Sequence, residues 1–144
     1  MPTRRQRRFV ADTFGVRMAI ETIRVSQEAR QQLIKLKKWT RVQNWNVLCR
    51  WAFCTSLAEP SVPPDEKVPT DSNLEMTWRT FGGQHHELYM ALLKERCVQD
   101  GLGTTDDVIA HQFKLHLHRG ISYLAADRRL RDVGGLMNKL PSYP

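Results

Sequence analysis

The chain lacks most of what would mark a secreted, membrane or catalytic protein. It has three cysteines, an odd number with no CxxC pair, which excludes a disulfide framework or a cysteine-rich zinc site and fits a reducing cytoplasm. No apolar run approaches the roughly 20 residues of a membrane span. The arginine-rich start is not followed by an apolar stretch, so it is not a secretory signal. GxSxG, GxxxxGK[ST], GxGxxG and HExxH are all missing, and so are internal repeats. What the chain has is 144 residues, enough for one core, a hydrophobic fraction of 41% and a net charge of +7. A basic excess of this size suits an anionic partner, most simply nucleic acid.

The charge is unevenly placed. Residues 1–17 carry +4 and residues 18–58 carry +5, residues 59–80 and 81–110 carry −3 each, and residues 111–144 return to +4. Basic ends around an acidic middle point to a localised anion-binding surface. Arg4-Arg5-Gln6-Arg7-Arg8 is the densest basic run. It reads either as an arm along phosphates or as a tail with no specific role. Because Met18 directly precedes the first patterned segment, residues 1–17 also fit an upstream stretch read through from an early start codon.

Glu21-Thr22-Ile23-Arg24-Val25 alternates polar and apolar residues and predicts a short strand. Ser26 follows as an N-cap with Glu28 in the first turn. Ala29, Leu33, Leu36 and Thr40 then form one stripe of an amphipathic helix, with Arg30, Lys37 and Arg41 along its flank and Lys35 and Lys38 away from the stripe. Asn44 reads as the next cap. The helix from Trp45 to about Leu57 is apolar almost all round, which calls for cover on nearly every side. A shared core in an oligomer is the expected cover, with Trp45, Leu48, Trp51, Ala52 and Phe53 as its interface.

Residues 59–73 are a proline-rich loop, and Leu74, Met76 and Trp78 alternate as a short extended piece. After Gly82-Gly83, a helix from Gln84 to about Asp100 shows Leu88, Tyr89, Leu92, Leu93 and Arg96 on a broad face. Gly101 and Gly103 stop it. Thr104 with Asp107 suggests a capping box for a last helix from Asp106 to about Ala126, its apolar face being Ile109, Phe113, Leu117 and Ile121, with a bend near Gly120. The tail from Arg128 is basic and reads as frayed. The expected architecture is mainly α and ribbon–helix–helix-like: one N-terminal strand and about four helices in a single domain over 18–126. In such units two strands from two chains pair, because a lone strand has no ladder partner.

Five histidines invite a metal, but the spacing argues against one. His85 and His86 point about 100° apart on a helix, and His111 and His118 lie about 10 Å apart along its axis. Cys49 and Cys97 sit among apolar residues and read as inert, and no cofactor is expected. The basic strand and first helix remain. A DNA role through Arg24, Arg30, Lys35, Lys37, Lys38 and Arg41 is expected over an ordinary solvated face.

Several short runs stand together over about residues 20–125: Ile23-Arg24-Val25-Ser26, Asn46-Val47-Leu48-Cys49-Arg50 with Ser56-Leu57, Leu88-Tyr89 with Ala91-Leu92-Leu93-Lys94 and Arg96-Cys97, Asp100-Gly101-Leu102 and His118-Arg119-Gly120. In this combination the chain resembles the DndE family, the E subunits of the Dnd DNA phosphorothioation (sulfur-modification) system. The resemblance implies a small helical homotetramer with a basic DNA-binding surface and a leaning towards nicked duplex. It also implies partner Dnd subunits that supply cysteine-derived sulfur, an iron–sulfur ATP-pyrophosphatase-like protein and an SMC-like ATPase. Together these replace a non-bridging phosphate oxygen with sulfur, and the E subunit is not the sulfur carrier. The alternative is an adaptor that assembles those subunits without strong DNA binding of its own.

Overall fold

The computed structural model describes residues 19–132. The arm at Arg4–Arg8, Met18 and the tail after Asp132 lie outside the described residues. The order is β1 (Thr22–Arg24), α1 (Gln27–Thr40), α2 (Trp45–Ala58), β2 (Glu75–Thr77), α3 (Trp78–Gly82), a 3-10 turn (Gly83–His85), α4 (His86–Gln99), α5 (Asp106–Ala126) and a 3-10 turn (Arg128–Asp132). Four long helices and a small antiparallel sheet thus make a mainly α fold.

The alternating 74–78 segment becomes β2, and it is the ladder partner of β1. Ile23 faces Met76 on the buried side, and Arg24 faces Glu75 on the exposed side. Trp78 N–H to the Glu21 carbonyl and Ser72 N–H to the Val25 carbonyl extend the pairing. The strand–helix–helix order stands, but the partner strand comes from within the chain, so a second chain is not needed to satisfy β1.

In α1, the Ser26 hydroxyl accepts from the Ala29 N–H at 3.0 Å, and the buried residues are the expected Ala29, Leu33, Leu36 and Thr40. Arg41 ends the helix at φ 60°, uncommon for a residue with a Cβ, and its N–H returns to the Lys37 carbonyl. α5 buries the expected Ile109, Phe113, Leu117 and Ile121. Its cap is Thr105 rather than Thr104: the Thr105 side chain accepts from the Val108 N–H, and its own backbone is extended as a cap requires.

α2 lies along α5, and Leu48, Cys49, Ala52, Phe53 and Ser56 are buried between them and the rest of the chain. Phe53 meets Phe81, Phe113 and Tyr89 with ring centroids 5.3–6.3 Å apart, and Trp78 meets Phe81 and Phe113 at 5.0 and 5.1 Å. This corrects the interface expectation. Leu48, Ala52 and Phe53 are fully buried within one chain, so they have no surface left for a second copy. Trp45 is half-buried, and Trp51 keeps 43% of its surface. Val47, Trp51, Cys54 and Ala58 recur at helical spacing on the outer side.

The face of α4 also differs from expectation. Leu93, Arg96 and Cys97 turn inward with Tyr89 and Met90 beside them, whereas Leu88 and Leu92 are 56% and 41% exposed. Among the described residues no helix is long and apolar enough to cross a membrane.

Candidate nucleic-acid interface

The basic residues of β1 and α1 divide by what already holds them. Arg24 Nη2 lies 2.6 Å from a Glu75 carboxylate oxygen, and its Nη1 donates to the Ser72 carbonyl, so its charge is compensated across the small sheet. Arg30 is half-buried. The Lys37 ammonium sits 3.7 Å from the centroid of the Trp45 ring, a cation–π contact that ties the end of α1 to the start of α2. Lys35, Lys38 and Arg41 are exposed, and none forms an ion pair among the described residues. Lys37 and Lys38 fall in the last turn of α1, where a cation also suits the negative end of the helix dipole.

The fold adds cations that sequence reasoning had placed in a frayed tail. The turn Arg128–Asp132 packs on α1, with Leu130 against the core. The Arg131 guanidinium lies over the Trp39 ring at 5.4 Å. Arg129 is taken by Asp127 through bonds of 3.0 and 2.9 Å. Leu130 amid three arginines was the available sequence signal, but nothing local named Trp39 as its neighbour.

A second polar centre explains several residues behind the family resemblance. The last carbonyls of a helix have no partners within it. At the end of α2 two arginines supply partners for the Ser56 and Leu57 carbonyls and for carbonyls of the chain just beyond. Arg96 donates to the Leu57, Glu59 and Ser61 carbonyls at 2.7–2.9 Å while pairing with Asp100 at 3.0 Å. Arg119 donates to the Ser56 carbonyl and hydroxyl, both at 2.8 Å, and to Ser61. With Arg119 donating into Ser56 Oγ, the hydroxyl hydrogen is free for His116 Nδ1, 2.8 Å away. Accepting there puts the proton of a neutral His116 on Nε2, a buried atom without a hydrogen-bond partner among the described residues. Burial first, then the charges of Arg119 and Arg96, push its pKa down to about 4. Together the two arginines clamp the end of α2.

His118 is likewise structural. Its Nδ1 lies 2.7 Å from the Lys114 carbonyl, and its Nε2 accepts from the Ser26 N–H at 3.1 Å, joining the start of α1 to α5. Burial is the main cause lowering its pKa. A cleft of about 540 Å³ opens beside it, lined by Ser26, Glu28, Glu66, Lys67, Asp71 and Arg119 among others. The cleft is of mixed charge, and the Gln27 N–H at the helix start already donates to Asp71. Burial raises all three thiol pKa values, that of Cys49 to about 12, which disfavours a thiolate nucleophile. Among the described residues no three His, Cys, Asp or Glu side chains gather as a metal site.

The fold has solved counterparts. One is the crystal structure of DndE from Escherichia coli B7A, involved in DNA phosphorothioation modification. It is 24% identical with a TM-score of 0.61, over 75% of this chain and 99% of that one. Another is a DndE G21/24K mutant involved in DNA phosphorothioation, 21% identical with a TM-score of 0.58, over 74% of this chain and 98% of that one. No curated protein matches. The family model of the DNA sulphur modification protein DndE matches residues 22–132, from the first residue of β1 to the basic turn, and the chain therefore belongs to the DndE family.

Proposed function

We propose that the chain is a non-catalytic, DNA-binding subunit of the cytoplasmic DNA phosphorothioation machinery. It holds duplex DNA, possessing a nick or not, through the C-terminal half of α1. The observation that carries this reading is the exposed set Lys35, Lys38 and Arg41, which has no ion-pair partner among the described residues. Such cations neutralise phosphates and release counterions, so affinity falls steeply with salt. Arg24 contributes less than the sequence suggested, because binding a phosphate would mean leaving Glu75. Assembly into a homotetramer would repeat the patch and add avidity. The outer stripe of α2 around Trp51 is the surface suited to that contact.

The alternative adaptor reading has its own observation. Leu88 and Leu92 stand exposed one turn apart on α4, with Glu87 and Glu95 beside them. This apolar and acidic face suits another Dnd subunit. One experiment separates the two readings: fluorescence anisotropy of nicked and intact duplex over a salt series, run beside a pull-down with the partner subunits. The double variant Lys35→Glu, Lys38→Glu should bind DNA more weakly with its mass by light scattering unchanged. Wild-type chain that captures a Dnd subunit but shows no salt-dependent DNA binding would replace the DNA reading with the adaptor.

A further inference from the structure

We infer that the C-terminal 3-10 turn is the second half of the DNA-contacting surface, with Arg128 and Arg131 as its phosphate ligands. This rests on the DNA-binding reading above and extends it to a segment that begins 88 positions after the end of α1.

Four observations converge. First, the turn is anchored: it packs on α1, and Leu130 lies against the core, so its cations keep a fixed place beside those of the helix. Second, Arg131 is placed by an aromatic ring. Its guanidinium carbon lies 5.4 Å from the centroid of Trp39, which follows Lys38 directly and sits one turn beyond Lys35. A cation–π contact leaves the guanidinium charge without a counter-ion, and its planar fork matches phosphate in a bidentate manner. Third, the charges of the turn are sorted. Asp127 takes Arg129, while Arg128 and Arg131 are exposed and in no ion pair among the described residues. Fourth, residues three apart in a 3-10 helix eclipse, so Arg128 projects on the same side as Arg131. The basic runs from the two ends of the described chain thus meet at one end of α1. The occupant is the backbone of duplex DNA, whose closely spaced phosphates can engage lysines of the helix and arginines of the turn together.

The test uses the full chain and a fluorescent duplex, with affinity measured by anisotropy from about 0.05 to 0.3 M salt. Each lost phosphate contact lowers the slope of log K against log salt by about 0.9 and the affinity at 0.1 M salt by about eightfold. Arg128→Gln with Arg131→Gln should therefore lower the slope by nearly 2 units and the affinity by roughly 60-fold. Circular dichroism checks the fold. If losing the Trp39 contact unfolds the turn, Arg128→Gln alone, which leaves that contact in place, should lower the slope by about 0.9. Wild-type affinity and slope in both variants, alongside weakened binding by Lys35→Gln with Lys38→Gln, would overturn this inference and leave the α1 surface standing. Wild-type chain with no salt-dependent binding would overturn both.

Discussion

Gly120→Ala sets two physical effects against each other at the crossing of α2 and α5. A glycine inside a helix costs about 1 kcal/mol relative to alanine, so propensity alone predicts stabilisation. Packing predicts the reverse. A Cβ at position 120 would lie 1.7 Å from the Ala52 carbonyl oxygen and 2.3 Å from its carbon. Both atoms belong to backbone, so no rotamer change removes the clash, and the helices must part by more than about 1 Å to restore an ordinary contact. Overpacking costs about 1–3 kcal/mol where side chains can give way, and here they cannot. Separation would also loosen Leu48 and Phe53 from Phe113 and Leu117, weakening many small dispersion contacts at once. The net expectation is a loss of about 2 kcal/mol or more, a fall in Tm of about 8 °C for a domain of this size. Thermal melts and urea titrations followed by circular dichroism read it directly. A Tm equal to or above wild type would refute the close crossing and, with it, the reason this position is a glycine.

Arg96→Met should cost about 3–5 kcal/mol in urea denaturation, because it strands the Asp100 carboxylate in a buried site and releases three carbonyls; a loss below about 1 kcal/mol would refute the clamp. The fold holds His116 neutral, with a pKa of about 4 against 6.5, so the unfolded chain binds more protons between those values and stability falls as pH drops through that window. The expected loss from pH 7.5 to 5 is on the order of 2 kcal/mol, and His116→Asn should remove most of this slope; an unchanged slope would sink the assignment.

Elements whose pattern is local were legible. The β-branched alternation of β1, the Ser26 cap, the stripe of α1 and the face of α5 all follow from spacing along a few turns. Misreadings arose where a distant residue decided the outcome. Arg96 turns inward because the Leu57 carbonyl of α2 and the Glu59 and Ser61 carbonyls just beyond it await it 35–39 positions away, and that fixes the rotation of α4 and leaves Leu88 and Leu92 outside. The inner side of α2 found its cover in α5 and an aromatic cluster instead of a second chain. Local sequence cannot show that approach, because Gly120 permits it from 68 residues downstream. The candidate DNA surface was half legible. Its α1 lysines stand out on a helical wheel, whereas Arg131 joins them only through Trp39, 92 residues earlier.

Net charge overstates the cations available to a partner, and the fold supplies the correction. Arg24, Arg96, Arg119 and Arg129 are engaged by carboxylates or carbonyls, and their work is accounted for by the fold itself. For them the ordinary structural explanation suffices. It does not extend to the charges of Lys35, Lys38, Arg41 and Arg128, while Arg131 also lies over the Trp39 ring. A helix dipole rewards cations near its C-terminus by only about 0.3–1 kcal/mol each, and the effect fades within the last turn, which excludes Lys35 and the arginines of the turn. Under the DNA-binding proposal these are the cations left for an external anion, and a phosphate backbone is the anion whose spacing engages several of them at once.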